Sequence, residues 1–147
     1  MNSYNTPLDL VLLVDDDETT NYLNERLLNE MQVAREVRIL TNGKEALDYL
    51  TKSYASPLDP EFKRPDLIFL DIKMPVMDGF TFLEEYERRG LDAGDHMIIL
   101  MLTSSASFYD LERLKNFKKV KRHFSKALTR HDVREIMSDF FKVKKQQ

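Results

Sequence analysis

Four consecutive apolar residues, Leu67-Ile68-Phe69-Leu70, end abruptly at a carboxylate, Asp71. A run this short and uninterrupted fits a strand buried on both faces. Such strands belong to parallel sheets covered by helices, and those sheets bind ligands beyond their strands' carboxyl ends. Asp71, the first residue past the run, therefore stands where chemistry would occur, although taken alone it reads equally well as a turn former. The loop that follows carries Lys73 and Pro75, and Asp78-Gly79 opens the next segment.

The pattern recurs along the chain. Leu10 to Val14 reads as a buried strand ending in Asp15-Asp16-Asp17. Residues 18 to 31 then read as a helix with Leu23, Leu27, Leu28 and Met31 on its inner face, capped by Asp17 or Thr19. A helix dipole accounts for one carboxylate at that start but poorly for three, because like charges repel. Val37 to Leu40 is a second strand, Asn42-Gly43 a turn, and residues 44 to 54 a helix burying Ala46, Leu47, Leu50 and Tyr54. Residues 55 to 65, with Pro57, Pro60 and Pro65, read as a surface loop. After the central strand a helix buries Phe80, Leu83 and Tyr86 or Glu87, and Gly90 and Gly94 close it. Met97 to Leu102 is another apolar strand, ending in Thr103-Ser104-Ser105. Residues 107 to 117 form a helix whose stripe Phe108, Leu111, Leu114 and Phe117 is expected in the core. Val120 to Phe124 is a basic strand leading to Ser125-Lys126. Thr129 caps a last helix burying Val133, Ile136, Met137, Phe140 and Phe141, and Lys142 to Gln147 is a fraying polar end.

Strands alternating with helices imply parallel crossover units. The fold class is therefore α/β, a doubly wound five-stranded parallel sheet with five helices. Its strand ends bring Asp15, Asp16, Asp71, Thr103 and Lys126 to one edge. The 147 residues suit one domain with a real core. The net charge of −3 gives no argument for nucleic acid. The chain has no cysteine, which removes disulfides, thiolate metal sites and thiol catalysis together. No apolar run approaches the roughly 18 residues of a membrane span, and residues 1 to 7 lack the pattern of a signal peptide. A cytoplasmic location is expected.

Oxygen ligands without cysteine or histidine select a hard cation, Mg²⁺ or Mn²⁺. A hydroxyl and an ammonium beside such an ion are the groups that surround a phosphoryl group in transfer. A carboxylate can be the nucleophile. The set suggests a Mg²⁺-dependent aspartate that accepts phosphate.

The sequence resembles the receiver domains of two-component response regulators, the CheY-like family of flavodoxin-like fold. The segments that carry the resemblance are Leu12-Leu13-Val14-Asp15-Asp16-Asp17, Leu70 through Gly79, Leu102-Thr103-Ser104-Ser105 and Ser125-Lys126. It runs from about residue 8 to residue 141. It implies a receiver over 8–142, short tails at 1–7 and 143–147, and no output domain. It implies Asp71 as phospho-acceptor, Asp16 as a direct metal ligand, Asp15 as a ligand through water, and the Lys73 backbone carbonyl completing the protein's share of the Mg²⁺ shell. Thr103 and Lys126 would hold phosphoryl oxygens. A histidine kinase or phosphotransfer protein would donate the phosphate. Movement of Thr103 would reposition the aromatic switch residue on the last strand, and a downstream protein would read the face of helix 4, strand 5 and helix 5.

Three positions depart from the family pattern. Lys126 is followed by Ala127 rather than proline, so the bond is either trans with a different loop, or cis at the greater cost of a non-proline residue. The switch position is His123, which is either a rotating ring or an ordinary strand histidine. Lys73 lies two residues past Asp71 and, with Ser105, is a candidate modulator of phosphate lifetime. The stretch 113 to 126 holds Arg113, Lys115, Lys118, Lys119, Lys121, Arg122 and Lys126 without an acidic residue. It reads as a solvated surface or as a dock for an acidic partner. Two rivals remain: a receiver fold acting as a phosphate-independent interaction module, and a Mg²⁺-dependent phosphohydrolase with an aspartyl-phosphate intermediate. Against the second, 147 residues leave little for a substrate cap. The chain is read as a signalling protein, not an enzyme.

Overall fold

The computed structural model describes residues 7–92 and 96–141. Gly94 and the tails 1–6 and 142–147 lie outside them, together with whatever the sequence suggests there. Five strands form one parallel sheet in the order β2-β1-β3-β4-β5. They are β1 (Leu8–Val14), β2 (Ala34–Leu40), β3 (Leu67–Leu70), β4 (Ile98–Thr103) and β5 (Val120–Ser125). The helices are α1 (Glu18–Glu30), α2 (Gly43–Ala55), α3 (Gly79–Arg88), α4 (Phe108–Leu114) and α5 (Arg130–Phe140). The strand order reverses between β1 and β3, and that switch point opens a crevice at the carboxyl ends of both strands.

Strand alternation divides the core in two. Leu10, Leu12, Val14, Ile68, Leu70, Ile99 and Met101 face α2, α3 and α4, where they pack on Leu47, Leu50, Phe80, Phe82 and Leu83. Val11, Leu13, Leu67, Phe69, Leu100 and Leu102 face α1 and α5, packing on Leu28, Val133, Ile136 and Met137. Both faces of β1, β3 and β4 are buried, which is why these strands read as unbroken apolar runs.

Each helix starts on a polar side chain that accepts a free amide of its first turn: Asp17, Asn42, Asp78, Ser107 and Thr129. Each such cap contributes about 1 kcal/mol. Between the two expected caps of α1, Asp17 is the one used.

Three expectations are corrected. The inner face of α1 holds Leu28, with Leu27 and Met31 packed against the same core, but not Leu23. Its buried residues are Thr20, Asn21, Asn24 and Leu28, and Leu23 is 45% exposed. Helix α4 ends at Leu114, and Phe108 is 77% exposed rather than in the core. Its stripe repeats every third residue, so over six residues it drifts about 120° around a helix of 3.6 residues per turn. The helix can bury Leu114 but not Phe108 as well, and Phe117 is buried beyond the helix end. Finally, residues 55–65 are more than a loop. They contain a 3₁₀ turn, Pro60–Phe62, that is tied to β2 and α2. The Arg38 guanidinium donates to the carbonyls of Pro60 and Glu61, and Tyr49 Oη donates to the Lys63 carbonyl at 2.6 Å.

Candidate functional site

Parallel pairing of β1 with β3 sets Val14 beside Leu70, so the next residues, Asp15 and Asp71, flank the crevice. The Asp71 amide donates to the Val14 carbonyl at 3.0 Å and extends the ladder by one bond. Asp15 and Asp71 are each 4% exposed, whereas Asp16 is open to solvent. Each of the three offers a carboxylate oxygen within 4.8 Å of the other two. Thr103 closes the site from the end of β4 at 6% exposure, and its hydroxyl donates to the Ser105 carbonyl at 3.2 Å. Lys126 enters from the end of β5. Its Nζ lies 3.0 Å from Asp71 Oδ2 and 2.8 Å from Asp15 Oδ2. Only the contact with Asp71 has the angles of a hydrogen bond, so Asp15 Oδ2 is a buried carboxylate oxygen without one among the described residues. The five residues expected at the sheet edge are thus together.

The loop after β3 is shaped by close approach. A Cβ at Gly79 would lie 2.4 Å from the Asp71 carbonyl oxygen, so only glycine lets α3 begin there. The Gly79 amide donates to the Ile72 carbonyl at 2.8 Å and closes the loop under the site. Val76, at its tip, has φ +71°, the left-handed region a β-branched residue adopts only under strain. Lys73, on the same loop, and Ser105 both extend into solvent beside the site. The Lys126–Ala127 peptide is cis.

Burial pushes the Asp71 carboxyl above its ordinary pKa. The Lys126 hydrogen bond opposes this, and the neighbouring Asp15 charge adds to it. Burial disfavours the charged form of Lys126, but its close contacts with the Asp15 and Asp71 carboxylates outweigh it and hold the ammonium above its usual pKa. One ammonium between two buried carboxylates leaves negative charge to be neutralised. Oxygen donors crowded this closely, one of them lacking a hydrogen bond, suit a small hard cation. Asp15, Asp16 and Asp71 could hold it.

His123 is exposed and lines a cavity of about 320 Å³ between α4 and β5, with Phe108, Leu111, Leu114 and Val120. The basic stretch is partly spent within the chain. Arg113 pairs with Glu84, Lys115 with Glu112, and Arg122 with both Glu135 and Asp139, while Lys126 serves the site. Sequence reasoning missed Asn21 and Asn24, whose amides hold backbone groups around the site. They were hidden because a search for apolar periodicity passes over buried asparagines.

A family model described as the response regulator receiver domain matches residues 11–138. The chemotaxis protein CheY of Halobacterium salinarum is 39% identical over 90 residues, 60% of this chain. The chain spans 62% of that relative's length and 7% of a hybrid signal transduction histidine kinase of Dictyostelium discoideum, to which it is 30% identical. Among solved structures, a two-component response regulator from Cytophaga hutchinsonii superposes with a TM-score of 0.81 at 25% identity, over 92% of this chain and 98% of that one. The receiver domain of the Arabidopsis thaliana histidine kinase CKI1, complexed with Mg²⁺ and BeF₃⁻, superposes with a TM-score of 0.70 at 26% identity, over 89% and 91%. Motif, sheet order, site geometry and relatives agree, and this chain belongs to the response regulator receiver domain family of two-component systems.

Proposed function

We propose that this receiver accepts a phosphoryl group on Asp71 from the phosphohistidine of a histidine kinase or phosphotransfer protein in the cytoplasm, and signals by a change in protein binding. The observation that carries the reading is the convergence of three carboxylates within 4.8 Å around an ammonium 3.0 Å from Asp71. In the transfer, an Asp71 carboxylate oxygen attacks phosphorus, the P–N bond to the donor imidazole breaks, and its electron pair returns to the ring nitrogen. Lys126 favours the ionised form of Asp71 against its burial and afterwards pairs with a phosphoryl oxygen. The Thr103 hydroxyl, now donating to Ser105, turns to another phosphoryl oxygen. Asp15, Asp16, Asp71 and the Lys73 carbonyl would hold Mg²⁺ or Mn²⁺, which supplies charge neutralisation at the phosphoryl oxygens.

A displaced Thr103 is the start of the output. We assign His123 as the responding ring and the α4–β5–α5 face as the surface read by a downstream protein. Exposed Phe108 and the adjoining cavity support that assignment. Lys73 and Ser105 stand where they can tune the lifetime of the phosphate. The test is intact mass after incubation with a small phosphodonor and Mg²⁺. A phosphoryl adduct on the wild type, absent from Asp71→Asn and abolished by chelating the metal, is expected. An unmodified wild type that binds Mg²⁺ but no beryllofluoride would leave the phosphate-independent module as the reading.

A further inference from the structure

The two buried asparagines of α1 lie one turn apart and reach two different walls of the site. Asn21 Nδ2 donates to the Asp15 backbone carbonyl at 2.8 Å. Asn24 Oδ1 accepts the backbone amide of Leu128 at 3.0 Å, from a residue 104 positions away. Asn24 is 1% exposed and Leu128 7%, so water has little access to this bond. Leu128 stands two residues past Lys126, in the connection that leaves β5 at Ser125 and enters α5 at its cap Thr129. At the near end of the connection the Lys126 amide donates to the Thr103 carbonyl at 3.3 Å, a long bond.

We propose that Asn24 is a positioning residue: by holding Leu128 against α1 it fixes the backbone from which Lys126 reaches between Asp15 and Asp71. The inference rests on reading Asp71 as the phosphoryl acceptor. A lysine head has three donors on a flexible stem. The carboxylates attract the head, but nothing in them fixes where the stem begins. A buried amide that loses its acceptor is costly, and the chain avoids the cost by turning that amide toward water. Leu128 would then move outward and carry Lys126 with it. The Asn24 hydrogen bond goes to neither the carboxylates nor the ammonium, so its loss leaves the cation ligands in place and acts through the lysine. A phosphoryl group needs both, whereas the metal alone needs only the carboxylates.

The test compares wild type with Asn24→Leu, which keeps the branched shape without the acceptor, and Asn24→Ser, which keeps polarity but cannot span the gap. Mg²⁺ affinity is measured by calorimetry, beryllofluoride affinity by fluorine NMR in saturating Mg²⁺, and Leu128 amide exchange by proton NMR. Both variants are expected to bind Mg²⁺ within about twofold of wild type, to bind beryllofluoride about tenfold more weakly, and to exchange the Leu128 amide faster. Unchanged beryllofluoride affinity in a folded variant overturns the proposal, as does an equal loss for both ligands, which is general loosening. If neither variant folds, the residue's role is packing and the proposal falls. A wild type that binds no beryllofluoride refutes the phosphoryl-acceptor reading itself, an outcome distinct from a wild type that binds and variants that match it.

Discussion

Helices α1 and α5 cover the same face of the sheet with opposite chemistry. Helix α5 buries Val133, Ile136 and Met137, spaced i, i+3 and i+4, against Val11, Leu13 and Phe124. Helix α1 buries Thr20, Asn21, Asn24 and Leu28. Burial of apolar area is non-directional and sums to stability. A buried hydrogen bond has a direction and fixes one group relative to another, with a smaller net contribution. The contrast teaches that α5 contributes cohesion, while α1, which runs beside the carboxylates from its Asp17 cap onward, contributes placement. Arg130, at the start of α5, bonds Glu30 at the end of α1 at 2.9 Å, an exposed pair that adds a weak surface link between the two helices.

The contrast is open to attack by mutation. Ile136→Ala, at a residue 1% exposed, is expected to cost about 2–5 kcal/mol in urea unfolding and to leave Mg²⁺ affinity unchanged. A comparable loss of Mg²⁺ binding would end the division of labour. Asn21→Leu is expected to do the reverse. It removes the bond to the Asp15 carbonyl but also a buried Asn21 Oδ1 that lacks a hydrogen bond among the described residues. The stability loss should stay near about 1 kcal/mol, while calorimetry should show weaker Mg²⁺ binding because Asp15 is no longer held. The smallest effect is a control at a polar anchor remote from the site. Glu36 pairs with Arg38 and Lys63, and the Arg38 hydrogen bond holds its pKa below the ordinary value. A lowered folded pKa gives stability that is present above the unfolded value and lost as pH falls through the folded one. Glu36→Gln should therefore be slightly less stable than wild type at neutral pH, with the gap closing in acid, and its beryllofluoride affinity at neutral pH should equal that of wild type.

The same contrast decides what was legible in the sequence. Apolar runs ending in Asp15, Asp71 and Thr103 announced both the strands and the sheet edge, because strands buried on both faces leave polar residues only at their ends. Helix α5 was legible for the same reason, since its reason for being helical is its own apolar periodicity. The polar part of the inner face of α1 was not. Asn24 is buried because of an amide 104 residues away, and no local pattern carries that information. Leu23 attracted the reading by its hydrophobicity and lies at the surface instead. Helix α4 failed differently: a three-residue repeat resembles a helical stripe over two turns but drifts off the face by the third contact. The basic stretch looked like one surface because its acidic partners, Glu84, Glu135 and Asp139, lie on other elements.

The 55–65 excursion carries a consequence for how the molecule would withstand proteolysis. Leu58, at its tip, is 94% exposed, the natural first point of attack for a protease that cuts after large apolar residues. Both flanks are held independently of the tip. On one side the Ser56 amide bonds the Lys52 carbonyl, and on the other Arg38 holds Pro60 and Glu61 while Phe62 packs its ring on Tyr49. A nick there would divide the chain between α2 and β3, separating Asp15 and Asp16 from Asp71. The two fragments would still share one sheet through the β1–β3 ladder, so the cut protein would migrate as one species until denatured, its carboxylates still facing one another across the break.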